Sequence, residues 1–394
     1  MDDFAEGLRA AMAARGFGVR ALARRVHCDP GLISRLASGK QDPSPKIAAL
    51  LGEALGVPAL ATARTAPAPP AVVDEETEAI DVARQATASD IGESTVERLE
   101  QAADDMALAY PRTPPGELLR RTRGHLDYAA GLLGSRMTLG EHRRLLVTMG
   151  WLSLVAATCL IDLRRFPAAS AHLHTAAQLA RETGQPEIAA WCLETKAWQE
   201  ITTGNYSRAA DLSQAAQRVA PRDGSAFIQA SGQEARAFAR LGAPRETRAA
   251  LARTETLAAP LTQPDRPEHH YHYDPAKFEA YAATTLAWLG DPAAAGYARD
   301  VVAHFEDRAT RRPRRAALAR VDLALALTAS GEFDEAAGTA LEAVLSGLLV
   351  PSSYWRAAEV IAAVGKRDVA ASKELREAYA EFCPSSRALP AKRV

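Results

Sequence analysis

The chain predicts an all-α fold, and three observations carry that expectation. Its composition leans on Ala, Leu, Arg and Glu, residues of high intrinsic helix propensity, and only 6% of it is aromatic. Apolar residues return every three or four positions from the N-terminus onward, the period of one helix face. Beyond residue 145 a turn signature, glycine or arginine followed in most units two residues later by an aromatic, recurs roughly every forty residues, the scale of stacked helical hairpins. The expected order is a five-helix domain over 1–58, a Pro/Ala-rich linker over 59–73, an acidic helical connector over 74–144, an α-solenoid over 145–382 and a flexible tail over 383–394.

With 394 residues, 47% of them apolar, the chain has room for two or three domains with buried cores. Its net charge is −1, so a surface for nucleic acid has to be local. No run reaches the ~18 consecutive apolar residues of a membrane span, and MDDFAEGLRA lacks a basic start followed by an apolar core. A cytoplasmic protein without a membrane partner is the expectation. Cys28, Cys159, Cys192 and Cys383 lie far apart and form no CxxC pair, which indicates neither zinc nor a disulfide framework.

At the N-terminus, Phe4, Leu8, Ala11 and Met12 make the inner face of a first helix. Val19, Leu22, Ala23 and Val26 make that of a second. His27 and Cys28 break the pattern, and Asp29 before Pro30 reads as an N-cap followed by the first residue of a third helix, through Leu32, Ile33 and Leu36, which Gly39 ends. A fourth, from about Ser44 to Leu55, adds Ile47, Leu50, Leu51 and Leu55. Between Arg9 and Lys46 there are eight Lys/Arg against Asp29 and Asp42, a local excess of six positive charges suited to phosphate.

The run Ile33-Ser34-Arg35-Leu36-Ala37-Ser38-Gly39-Lys40, with Pro43, Pro45 and Leu55-Gly56-Val57 after it, resembles the phage-repressor, or xenobiotic-response-element, class of helix-turn-helix over roughly residues 4 to 58. That resemblance implies a repressor-like domain whose third helix enters the major groove of double-stranded DNA. The implied DNA-binding set is Arg20, Asp29, Pro30, Gly31, Ser34, Arg35, Ser38 and Lys40. Pro30 and Gly31 bring no hydrogen-bonding side chain, so base readout is expected to lean on Arg35, whose fork suits guanine O6 and N7, with Ser34 as a weaker reader. Gly18-Val19 stands where the family often has a Thr/Ser-Gln pair against phosphate.

Pro67, Pro69 and Pro70 favour a semi-rigid tether. Asp74 to Asp105 holds eleven acidic residues, read either as a solvated face or as a surface that docks on the basic domain. Within it, Val96, Leu99, Ala103, Met106 and Tyr110 form a heptad-like seam, packed inside its own chain or against a second copy in a homodimer.

Further on, Phe166, Tyr206 and Phe333 follow turns, and Ala169, Ala209 and Ala336 stand three residues beyond them. These positions resemble the tetratricopeptide repeat, with units expected at WLSLVAATCLIDLRRFPAAS, AWCLETKAWQEITTGNYSRAA, Gln229–Leu257, AYAATTLAWLGDPAAA, ALARVDLALALTASGEFDEAA and Tyr354–Phe382. Such a stack leaves a concave binding groove. In that register Trp151, Trp191, Glu194, Trp198, Gln229, Arg236 and Lys277 face it as candidate ligand-binding residues, the alternative being that the tryptophans fill the repeat core. The insertion PLTQPDRPEHHYHYDP clusters His269, His270, Tyr271, His272 and Tyr273, read as exposed or against the groove rim, with metal a minor option. Arg311, Arg312, Arg314 and Arg315 around Pro313 read as a solvated connection. No phosphate-cradling loop, nucleophile elbow or zinc helix occurs, so neither catalysis nor a cofactor is expected.

The layout looks like the helix-turn-helix/tetratricopeptide regulators of actinobacteria, and in architecture alone like Gram-positive quorum-sensing regulators. It implies a dimeric, sequence-specific transcription regulator whose solenoid binds a small-molecule or peptide effector. The alternative is a DNA-tethered scaffold whose repeats grip a partner protein without a small effector.

Overall fold

The computed structural model describes residues 2–61, 91–262, 264, 266–307, 312–367 and 370–383, and among these there is no strand. The chain divides into two units, Met1–Val73 and Asp74–Val394. Residues 62–73 of the linker expected over 59–73, the acidic residues before 91, and residues 384–394 of the tail expected over 383–394 lie outside the described residues.

The first unit has five helices: α1 Asp2–Ala14, α2 Val19–Arg25, α3 Pro30–Ala37, α4 Pro45–Leu55 and α5 Pro58–Ala61. Their apolar stripes meet in one core of Leu8, Leu22, Ile33, Leu36, Leu51 and Leu55, with Leu60 from α5 packed among them. Leu60 carries this domain past the boundary expected at residue 58. Two starts are set by local chemistry, as the Asp29 side chain accepts from the Leu32 N–H and the Ser44 hydroxyl from that of Ile47. Gly56 closes α4 in the left-handed region at φ 63°, a conformation glycine adopts without strain.

The second unit is a row of antiparallel hairpins: α6 Glu93–Ala109 with α7 Pro115–Leu132, α8 Leu139–Asp162 with α9 Phe166–Thr183, α10 Pro186–Thr202 with α11 Tyr206–Val219, and α12 Ser225–Arg240 with α13 Pro244–Ala258. Then come α14 Pro275–Leu289 with α15 Ala294–Glu306, α16 Pro313–Ser330 with α17 Phe333–Leu345, and α18 Tyr354–Val364 with α19 Ser372–Phe382. All six expected units are hairpins. A further one, α6/α7, stands ahead of them within the stretch expected as a connector and packs on α8. Its seam residues Val96, Leu99, Ala103 and Met106 are buried within the unit, which settles them as core rather than as a free face for a second copy.

The first helix of each hairpin touches the first helix of the next along the whole row, from α6·α8 to α16·α18, whereas among the second helices such a contact is made by α17·α19. The first helices are therefore the inner layer of a curved stack. Ala169, Ala209 and Ala336 are fully buried where the two helices of a hairpin approach. The connecting turns share one geometry: Gly204, Gly242, Gly290 and Gly331 all have positive φ, and the next residue's N–H reaches back to a carbonyl five residues earlier. Arg164 occupies the same position in the α8/α9 turn at φ 58°, where a side chain is strained.

The reading that no segment approaches a membrane span needs one amendment. By length and composition α8 is apolar enough to cross a membrane, but 78% of its most apolar stretch is buried within the unit, so it packs as the central core helix.

Candidate functional site

In the first unit, Arg20, Ser34, Arg35, Ser38 and Lys40 are exposed, as are Asp29 and Pro30, and Gly31 is half-buried. Local bonds hold several of them. Asp29 is spent on the α3 cap, and the Ser38 hydroxyl donates to the Arg35 carbonyl. The Arg35 Nε donates to Gln41 Oε1 at 3.0 Å, a partner that sequence reasoning did not single out. Gly31 has a structural reason to be bare: a Cβ there would lie 2.8 Å from the Asp29 carboxylate and 3.2 Å from the Arg35 guanidinium. The missing side chain leaves room for the cap and for Arg35 to lie along the exposed face of α3. His27, at φ 51°, makes the turn before it.

In the second unit the inner layer lines a partly open cavity of about 220 Å³. Five of the seven expected ligand-binding residues line it: Glu194, Trp198, Gln229, Arg236 and Lys277. Trp151 and Trp191 do not. The Tyr271 ring of the 259–274 insertion packs at 5.2 Å from each of them, and its hydroxyl pairs with that of Thr158. These two tryptophans hold the insertion against the inner layer, which corrects their expected exposure to ligand.

Of the two expectations for the insertion, the structure favours packing against the groove: Glu268 and His270 line the cavity, while His272 stays exposed. The Lys277 ammonium donates to the carbonyls of His269, His270 and His272 at 2.7–3.2 Å. Burial, with Arg315 beside it, lowers Lys277 to about 7, while three carbonyl acceptors hold the protonated form. His269 Nδ1 accepts from the Tyr271 and His272 N–H groups, so its Nε2 carries the proton it donates to Asp104. Burial pushes this imidazole down to about 3, in keeping with that neutral form. Among the described residues no group of three or more His, Cys, Asp or Glu is placed to hold a metal. Asp104 and Asp105 also pair with Arg266, and Glu93 and Glu100 with Arg144, so these four of the acidic residues between 74 and 105 are paired within their own unit.

The arginine run after residue 310 is likewise not a solvated connection. Arg312 pairs with Asp274 at 2.8 Å, Arg314 with Asp162 at 2.5 Å and Arg315 with Glu268 at 3.4 Å, all largely buried; Arg311 lies outside the described residues. Asp162 is the knot of the cavity. It accepts from the Tyr110 hydroxyl at 2.8 Å, from Arg314 and from the Ser352 hydroxyl at 2.7 Å, and its carbonyl accepts from the Ser352 N–H. These bonds join the end of α8 to the loop before α18 and close the curved stack around the cavity.

The lining is polar at a few convergent points. Glu194, buried and accepting from Gln229 Nε2 at 3.1 Å, is raised to about 7 by its burial. Gln229 also donates to the Tyr281 oxygen. Arg236 lies 4.7 Å from both the Tyr281 and Trp288 ring centres. Arg240 pairs with Glu359, and Arg356 with Asp322. Sequence reasoning missed Asp162, Tyr281, Arg314, Trp355 and Arg356. The opposite charges of the insertion and the arginine run were a signal for the Arg312–Asp274 and Arg315–Glu268 pairs, but not for these five.

Residues 3–65 match the family of the helix-turn-helix domain. No curated protein matches the chain. Among solved structures, the chain is similar to the crystal structure of Bacillus thuringiensis PlcR in complex with the peptide PapR7 and DNA. The identity there is 12%, the match covers 72% of this chain and 98% of that one, and the TM-score is 0.32.

Proposed function

We propose that the chain is a sequence-specific DNA-binding transcription regulator whose tetratricopeptide-like unit receives a small-molecule or peptide signal in its cavity and thereby controls DNA binding. The observation that carries it is the exposed face of α3, where Ser34 and Arg35 stand outward, with Lys40 and Arg20 also exposed, in a domain matching the helix-turn-helix family. Duplex DNA is the partner, read in the major groove, with phosphates drawn by the local positive excess. Two chains acting on paired half-sites make the active species a homodimer. The cavity, though partly open to solvent, favours a signal-receiving role over a scaffold that grips a protein, because its polar groups face inward. Control requires the signal to bind the DNA-competent and incompetent states with different affinity.

A gel shift on the protein's own upstream DNA, with and without the small-molecule fraction of a cell extract, tests this. A shifted band whose midpoint moves with the fraction supports the reading. A band insensitive to every fraction removes the control, and no band with any duplex removes the regulator.

A further inference from the structure

Three guanidinium groups converge on one indole. Arg236, Arg240 and Arg356 lie 4.7, 5.1 and 5.6 Å from the Trp288 ring centre. Two have carboxylate partners: Glu359 takes both outer nitrogens of Arg240, and Asp322 pairs with Arg356. For Arg236, 7% exposed, no carboxylate stands within ion-pair distance among the described residues. Its Nη1 donates to Gln233 Oε1 at 3.0 Å, and its Nε has no hydrogen-bond partner. The Arg356 Nε and the Trp355 indole N–H are also buried without an acceptor, and all three residues line the cavity. This end of the cavity thus holds three guanidinium groups against the paired carboxylates of Glu359 and Asp322, with the Glu194 carboxyl on the same lining as the remaining acidic group acting on Arg236, and it has several N–H groups unused. Buried donors without acceptors are costly, and an anion is the group that satisfies charge and donors together. Beside it the lining turns apolar and aromatic, with Trp198, Ile201, Ala280, Tyr281 and Leu318.

We infer that the cavity binds a small organic acid, its anionic head on Arg236 and Arg356 and its aromatic or apolar body between Trp198 and Tyr281. This deepens the proposed signal site and rests on that reading for its regulatory meaning. The chemistry is shared by carboxylates, sulfonates and phosphate monoesters. The unpartnered Gln229 Oε1 on the same lining offers one acceptor to a hydroxyl or N–H on the body.

Two dyes that differ in a single anionic group test it on the full chain. 8-Anilinonaphthalene-1-sulfonate has the sulfonate that N-phenyl-1-naphthylamine lacks, and both report binding by energy transfer from the tryptophans. The sulfonate should saturate one site per chain and bind about tenfold or more tightly than the neutral dye, as expected for a hydrogen-bonded charge. Arg236→Gln should bring its affinity down to that of the neutral dye, leaving the neutral dye unchanged, and Arg236→Lys should recover part of the difference. Equal binding of the two dyes, no saturable binding, or an unchanged sulfonate affinity in a folded Arg236→Gln chain overturns the inference. Should that variant not fold by circular dichroism, the two-dye comparison on the unaltered chain decides alone. No DNA enters the readout, so a failed gel shift with the dye result intact removes the regulator and leaves the acid site standing.

Discussion

The two units handle charge in opposite ways. In the first, the arginines and lysines stand outward around an apolar core, and the α3 residues Ser34 and Arg35 are held only by neighbours on the same surface. In the second, arginines from α12, α16 and α18 are turned inward and locked to carboxylates far away in sequence, such as Arg314 on Asp162 and Arg240 on Glu359. An outward charge is cheap to hold and free to meet a phosphate. An inward one is tolerated only where a partner or a ligand answers it. The contrast matches the two recognition tasks proposed for the units: a polyanion outside the first, a small molecule inside the second.

The largest test of that contrast lies at the closure of the stack. Asp162→Ala leaves Arg314 buried without its partner, which should cost about 3–5 kcal/mol in urea unfolding of the second unit. A loss no larger than that of an exposed surface pair would mean the closure is dispensable. Next comes pH. Glu194 is raised from the usual carboxylate range to about 7, so the fold holds its proton more tightly than the unfolded chain does. Its contribution is complete below about pH 4.5 and is lost as pH rises through 7. Glu194→Gln should therefore match the unaltered chain at pH 4 and exceed its stability at pH 8 by about 3 kcal/mol. A difference that does not change with pH would contradict the buried, neutral carboxyl.

Smaller effects belong to the outward surface and the turns. Arg35→Ala should weaken a cognate duplex by about 1–3 kcal/mol, relax preference at one base pair, and leave the urea transition of the second unit where it was. Arg164→Gly relieves a left-handed backbone and should stabilise the second unit by about 1 kcal/mol. The Arg164 guanidinium over the Phe166 ring at 5.5 Å opposes this gain, and a net loss would show that the contact outweighs the strain.

What could be read from residues alone was what neighbours decide. Asp29-Pro30 starts α3 because cap chemistry is local, and Gly204 and Gly331 mark turns because the left-handed position there suits glycine. The inner-layer register followed from the resemblance to the tetratricopeptide repeat, and of the residues it put on the groove side Glu194, Trp198, Gln229, Arg236 and Lys277 line one cavity. Closure was not legible. Asp162 and Ser352 meet across 190 residues, and no local pattern encodes that approach. The same holds for the run at 312–315, since whether an arginine is solvated or buried depends on which carboxylate arrives from elsewhere. How closely the His/Tyr insertion packs was not legible for a related reason: its proline-bounded sequence looks polar, yet Tyr271 completes an aromatic cluster with Trp151 and Trp191.

Selection of duplexes from a random pool by the full chain, followed by anisotropy titration of the enriched sequence with the unaltered and Arg35→Ala proteins, tests the central claim most directly. An enriched half-site bound at least about tenfold more weakly by the variant is the expected result. A pool that never enriches, or an enriched sequence bound equally by both proteins, would contradict it.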